Sequence, residues 1–415
     1  MARILIIGSG GREHALAWSL AGEARHEIYC APGNPGTARL GTNVSLDNGD
    51  HQALIEFARS ERIDLTIVGP EAPLAAGIVD DFQGSNQKIF GPGRAAAQLE
   101  ASKLFARQFM HEYRIPQPAY MPCSNREEVW AAVEQLGLPV VLKADGLAAG
   151  KGVIVCHSES EVEAALARFF DDRSFGDAGR SLSVEECLVG TEMSVFALCD
   201  GKNFNIIGTA QDYKRAYDGD QGPNTGGMGS IAPSRLASAD LLEEISATII
   251  QPTLDGMRQR GSPYVGVLYA GLMIIDNEPF VIEFNVRMGD PETQVVLPLL
   301  GSPLYDLIDA ALEGHVPVDN RVKQGAAISV VLAAKGYPGQ YKKGLPITGL
   351  GNLDDDVILF HAGTREENGQ LLSSGGRVLN VVATGDNLND AARQVYENCA
   401  RIDFPGGFHR KDIGG

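Results

Sequence analysis

The stretch from Val140 to Val155 reads VVLKADGLAAGKGVIV, with Lys143 closing one apolar run and Lys151 in the glycine-rich loop leading to the next. Gly146, Gly150 and Gly152 lack a Cβ, so backbone N–H groups there can approach a ligand closely, and two lysines bring positive charge to the same place. That chemistry suits a polyphosphate. The pattern departs from the helix-opening G-x-x-x-x-G-K-[ST] loop. Gly146 to Gly150 is one residue short, Gly152 stands where Ser or Thr belongs, and a β-branched run follows. The stretch therefore reads as a hairpin flap over a nucleotide; by itself it fits an ordinary mobile hairpin equally well.

A second constellation is Val281-Ile282-Glu283-Phe284-Asn285. Alternation along a strand puts Glu283 and Asn285 on one face and Ile282 and Phe284 on the other. A carboxylate and an amide oxygen so spaced are hard ligands suited to Mg²⁺ carried in with a nucleotide. Arg287 continues that face, and Gly289-Asp290-Pro291-Glu292 adds two carboxylates at a turn. A solvent-facing side of an antiparallel strand is the commoner meaning of alternation; the run from Arg287 to Glu292 weighs against it. In Val184–Glu192 a strand ends in an exposed connector whose backbone could pair with an adenine edge and whose Glu192 could accept from ribose hydroxyls. Alone, it reads more simply as an interdomain linker with solvated acids. The segment 212–229 carries Asp212, Lys214, Asn224, Thr225 and Gly226 in one long loop, functional or disordered by its length. Tyr213, Tyr217 and Met228 argue against disorder. Gly8-Ser9-Gly10-Gly11-Arg12-Glu13 begins like G-x-G-x-x-G, but Glu13 takes the third glycine's place, and the second strand ends in Cys30-Ala31-Pro32 without an acid. It reads as a turn before a helix N-terminus, able to accept a phosphate from a small ligand or serving as a turn only.

These residues need a scaffold of several units. A chain of 415 residues exceeds one usual core, so two to four domains are expected. Strand–helix alternation over 1–101 predicts a Rossmann-like parallel sheet with ligands at its carboxyl ends. One helix is expected over Arg94–Arg114, making 102–120 a helical linker. A small α+β lid follows at 121–191, a larger sheet-and-helix unit at 192–324 and a β-rich unit at 325–415. The net charge of −18 argues against a nucleic-acid surface, though not against a local phosphate pocket. No two of the six cysteines are spaced C-x-x-C, so reduced thiols in a cytoplasmic protein are expected. No apolar stretch approaches the ~20 residues of a membrane helix.

Together the motifs resemble the glycinamide ribonucleotide synthetase family of the ATP-grasp superfamily. The resemblance spans nearly the whole chain: GSGGREHALAW at 8–18, GPEAPLAAGIVD at 69–80, LEASKLFARQFM at 99–110, the flap, EECLVGTEMS at 185–194, DYKRAYDGDQGPNTGGMGS at 212–230, IEFNVRMGDPETQ at 282–294, and GGRVLNVVATG with a closing RKDIGG. It implies an α/β and α+β multidomain ATP-grasp fold with a Rossmann-like N-terminal domain and a small β-rich C-terminal one. The implied reaction joins glycine to 5-phosphoribosylamine at the expense of ATP, through a glycyl phosphate, in purine biosynthesis. A monomer or weak dimer is expected.

On this resemblance Lys103 and Lys143, with Gly150, Lys151 and Gly152 of the flap, would hold ATP phosphates. Glu185, Glu186 and Leu188 would lie along the adenine and Glu192 at the ribose. Glu283 and Asn285 would hold Mg²⁺ or Mn²⁺. Arg287, Asp212 and Lys214 would surround the acyl phosphate, with Asn224, Thr225, Gly226 and Asp290 at the substrates. Gly10, Gly11 and Arg12 would help seat phosphoribosylamine. The strand Leu268–Met273 holds no acid for a second metal. Other readings of the chain are another ATP-grasp ligase or carboxylase, a nicotinamide-dependent dehydrogenase and a non-catalytic nucleotide sensor. None of these roles uses a thiol. Cys187→Ser is therefore expected to leave turnover intact, and its abolition would expose a missed nucleophile.

Overall fold

A computed structural model describes residues 1–23, 26–147, 152–172, 174–316 and 322–415. Among these residues a five-stranded parallel sheet runs in the order Thr42–Asn43, Glu27–Pro32, Arg3–Gly8, Leu65–Val68, Ile89–Phe90. Ile4 to Ile7 are fully buried, as expected of a strand covered on both faces. Arg3–Gly8 ends in the glycine turn and passes into the helix Gly11–Glu23. The dinucleotide fingerprint fails here for a physical reason. Glu13 lies under the turn, its carboxylate accepting from Gly10 N–H at 2.5 Å, and a Cβ at Gly69 would sit 2.0 Å from its Oε1. Glu13 already takes the Gly10 N–H that the fingerprint would leave to a pyrophosphate.

The expected single helix over Arg94–Arg114 is two helices, Arg94–Ala101 and Lys103–Glu112. Ser102 is extended between them and its Oγ accepts from Phe105 N–H, capping the second helix. Asp145 fixes the break, accepting from Ser102 Oγ and Leu104 N–H. The break makes Lys103 the first residue of a helix that begins at the cleft. Beyond it the lid is an antiparallel sheet in the order Tyr120–Cys123, Leu182–Glu186, Val140–Ala144, Val153–Cys156. The last two strands are those expected to flank the flap, with Lys143 opposite Val153. The lid has its own core of Val129, Val140, Leu142, Leu166 and Val184.

The largest sheet among the described residues has nine strands. It runs Glu278–Asn285, Val265–Ile275, Thr191–Asp200, Phe204–Asp212, Gly229–Ala232, Ala326–Ala334, Arg377–Gly385, Ile358–His361, with Gly407–Phe408 paired to Ala326–Ala334. The strands after residue 325 thus extend the sheet that begins at the Glu283 strand. This architecture agrees with the fold class expected from sequence. The segment 212–229 is more ordered than a loop, because Arg215–Tyr217 and Gln221–Asn224 pair as a hairpin. Gly219 and Asp220 turn it at φ +69° and +56°.

The parallel-sheet unit meets the C-terminal strands at a pair of buried histidines. His14 Nδ1 accepts from His361 N–H at 2.8 Å, so this nitrogen carries no proton. Burial, with His361 and Arg39 nearby, lowers the His14 pKa to about 3; burial and Arg39 lower that of His361 to about 4. Both are neutral in the fold but bind protons more readily when unfolded, at about 6.5. Their contribution is therefore complete above about pH 6.5 and is lost as pH falls toward 4 and below. Melting temperature should fall across that window. His14→Gln, which keeps an acceptor and removes the titration, should flatten the slope, and an unchanged slope would contradict this account.

Candidate active site

A cavity of about 480 Å³ opens between the parallel sheet, the lid and the nine-stranded sheet. The sequence-derived residues that line it are Arg12, Lys103, Lys143, Gly152, Glu185, Glu186, Leu188, Glu192, Asp212, Lys214, Asn224, Thr225, Gly226, Glu283, Asn285, Arg287 and Asp290. Gly10 and Gly11 stand behind this wall. Gly11 packs on the Gln294 and Asn380 amides, and Arg12 is the residue of the turn that reaches the cavity. Gly150 and Lys151 lie outside the described residues.

At the lid end the centre is a buried ion cluster. Arg107 grips both oxygens of Glu185, at 2.8 and 2.6 Å, and donates to Val281 O at 2.9 Å and Ile282 O at 2.8 Å. Lys143 Nζ lies 2.9 Å from Glu185 and donates to Ile282 O at 2.8 Å. Burial opposes the Glu185 charge, but Lys143 and Arg107 outweigh it and hold its pKa at about 2. The Glu185 carboxylate is thus held by Arg107 and Lys143 at the cavity wall, and Glu186 is its exposed neighbour. Arg107 was missed although it lies inside the motif LEASKLFARQFM, because helical spacing alone does not say that it faces a carboxylate on another unit.

Strict alternation also fails along the Glu283 strand. Gly271 pairs with Glu283 but Leu272 with Val281, leaving Ile282 as the extra residue of a bulge. Val281 and Phe284 point into the core, while Ile282 and Glu283 both line the cavity. The bulge also turns the Ile282 carbonyl outward to Lys143 and Arg107. Lys103 Nζ stands 3.4 Å from Glu283.

The opposite end is built from interlocked charges. Lys214 pairs with Glu192 and lies 3.5 Å from Asp212. Burial, opposed by Lys214 and reinforced by Glu292, raises the Asp212 pKa. Arg287 reaches Glu100 at 2.8 Å and Glu71 at 3.4 Å. Asp290 meets Arg377 at 3.2 Å and accepts from Arg12 N–H at 3.3 Å; these charges overcome burial and lower its pKa. Tyr269, on the strand expected to lack a metal acid, donates to Glu292 at 3.1 Å. Sequence reasoning did not single out Glu71, Glu100, Tyr269 or Arg377, each of which lies within or beside a quoted motif. Cys187 lines the cavity as a thiol, its pKa raised by burial.

Glu283 and Asn285 fit the oxygen-ligand set of a divalent cation. Burial disfavours the Glu283 charge, yet Lys103, Lys214, Lys143 and Arg287 pull its pKa down to about 2, so the donor is ionised at neutral pH. No group of three His, Cys, Asp or Glu suited to a metal occurs among the described residues.

Family models cover nearly the whole chain: "Phosphoribosylglycinamide synthetase, N domain" matches residues 2–100, its "ATP-grasp (A) domain" 101–293 and its "C domain" 327–415. The chain belongs to the phosphoribosylglycinamide synthetase family. It is 47% identical to a Mesorhizobium japonicum phosphoribosylamine–glycine ligase over 99% of this chain and 97% of that one. The crystal structure of the phosphoribosylamine–glycine ligase of Thermotoga maritima is similar at TM-score 0.86 and 36% identity, over 99% of both chains. A biotin carboxylase from Campylobacter jejuni shares the fold at TM-score 0.74 and 17% identity, covering 100% of this chain and 94% of that one.

In this member of the synthetase family the Glu185 cluster should dominate local stability. Glu185→Gln strands Arg107 and Lys143 without their counter-charge in a buried site, a change costing about 3–5 kcal/mol. Urea unfolding would measure it, and a loss below about 1 kcal/mol would refute the coupling.

Proposed function

We propose that the chain is an ATP-dependent ligase that joins glycine to 5-phosphoribosylamine, giving glycinamide ribonucleotide, ADP and phosphate. The observation that carries this reading is the convergence of the lysines, the Glu283–Asn285 pair and the Asp212–Gly226 segment on one cavity, in a family member alike over its full length to phosphoribosylamine–glycine ligases. Cytoplasmic placement belongs to the same reading; no described helix is long and apolar enough to cross a membrane.

The glycine carboxylate attacks the γ-phosphorus and ADP departs. The phosphoribosylamine nitrogen then attacks the acyl carbon, phosphate leaves and the amine gives up a proton. Phosphoryl transfer of this kind is mostly positioning and charge neutralisation. Lys103 and Lys143 sit where they can meet phosphates, and the lid edge at Glu186 and Leu188 presents backbone to a base. Glu283 and Asn285 would hold Mg²⁺ or Mn²⁺, which neutralises phosphate charge when bound. Arg287 and Lys214, both on the cavity wall, would flank the acyl phosphate. Asp212, with its raised pKa beside Lys214, is placed to take the amine proton. Asn224, Thr225, Gly226, Asp290 and Arg12 line the same cavity and would receive phosphoribosylamine. Acyl phosphates hydrolyse, so Gly152 and the rest of the flap have a reason to close over the cavity.

The decisive assay is ADP release with phosphoribosylamine and a panel of amino acids. Glycine alone should support it; ADP release independent of the amino acid would refute the ligase reading. Glu283→Ala should lower kcat by roughly 10²-fold or more, the scale of losing one electrostatic stabiliser. Near-normal turnover would remove Glu283 from the metal site.

A further inference from the structure

The segment Arg410–Gly415 lies outside the cavity yet meets Tyr213, Arg215, Asp218, Gly219, Asp220 and Gly229 of the 212–229 segment. The Arg410 guanidinium is 2% exposed. Its Nη1 donates to Arg215 O and to Asp220 Oδ1, both at 3.1 Å, and its Nε and Nη2 grip Asp412 at 2.8 and 2.7 Å. Asp412 in turn accepts from Gly219 N–H at 2.8 Å, and Lys411 N–H donates to Asp218 at 2.7 Å. The guanidinium stacks 5.1 Å from the Tyr213 ring, whose hydroxyl accepts from Gly414 N–H at 3.1 Å. Ile413 is fully buried, and a Cβ at Gly229 would meet its Cδ1 at 2.3 Å.

These contacts fall on the start, the turn and the end of the segment. The base of its hairpin reaches the cavity through Lys214 and Asn224–Gly226, and there Thr225 N–H and Oγ1 both donate to Lys214 O at 2.8 Å. A two-stranded hairpin is at best marginally stable alone in water, and Gln221–Asn224 is exposed along its length. Tyr337 accepts from Gly226 N–H and Arg377 donates to Gly226 O at the base, while the densest set of bonds to the hairpin itself comes from Arg410 and Asp412.

We propose that Arg410, locked by Asp412, is a positioning residue that clasps the 215–224 hairpin and thereby fixes Lys214 and Asn224–Gly226 relative to the acyl-transfer end of the cavity. This rests on the ligase reading for its kinetic consequence only. A misplacement of about 1 Å in such a segment can cost on the order of 10²-fold in rate.

The test is Arg410→Met in the full chain, followed by hydrogen exchange and steady-state kinetics. Exchange of the 215–224 amides should rise, and kcat/KM for glycine should fall about tenfold or more while KM for ATP stays within about twofold. Unchanged exchange, or ATP and glycine parameters worsening together, would overturn the proposal. Arg401→Met serves as control, since it breaks a half-exposed pair with Asp354 in the same C-terminal unit. Matching changes there would assign the effect to general loosening and equally overturn it. Should Arg410→Met fail to fold, Asp412→Ala removes the lock at a more exposed site and must give the same pattern. Failure of wild-type protein to release ADP with glycine would sink the ligase reading, while the exchange measurement, which needs no substrate, still decides the clasp.

Discussion

The active cleft depends on one buried carboxylate. Glu185 belongs to the lid sheet, Arg107 to the helix that begins at the Ser102 break, and the carbonyls of Val281 and Ile282 to the edge of the nine-stranded sheet. Arg107 and Lys143 tie all three together. Such a cluster is costly to bury, and an apolar replacement of equal volume can be as stable or more so. What charges provide here is orientation: a planar guanidinium fixes the carboxylate in two directions at once. The same cluster gives an exposed sheet edge a partner for carbonyls that would otherwise be unpaired.

This cluster explains why the neighbouring cations are distributed as they are. Burial lowers the Lys143 pKa, and Glu185 works against that loss. Glu283 lies in the field of Lys103, Lys214, Lys143 and Arg287, none of which grips it in a close bidentate pair. An ionised carboxylate surrounded by positive charge, but not saturated by it, keeps coordination capacity in reserve.

Much of the architecture was legible in the sequence. Strand–helix alternation marked the parallel sheet, and two β-branched runs around glycines marked the lid strands. The chemistry-bearing motifs also converged on one cavity. What escaped was anything decided by contacts between distant elements. Ser102 looks like a mid-helix residue until Asp145 arrives to fix its cap. Ile282 reads as a core position until the pairing with Gly271 and Leu272 forces a bulge. Glu185 reads as an exposed acid until Arg107 faces it. In the 212–229 segment the turn residues Asp218, Gly219 and Asp220 carried a hairpin signal, obscured by the lack of alternation beside them.

The continuity of the nine-stranded sheet bears on how the protein comes into being on the ribosome. Gly229–Ala232 sits between Phe204–Asp212 and Ala326–Ala334, so one of its edges is completed only by residues synthesised about a hundred positions later. The lid can close its core from sequence already emerged, since its core residues all lie between Cys123 and Val184. The nine-stranded sheet cannot, and Gly229–Ala232 keeps an open edge until the last quarter of the chain is made. Until Ala326–Ala334 emerges, the pairing edge of Gly229–Ala232 has no partner, and an unpaired strand edge is a template for wrong pairing.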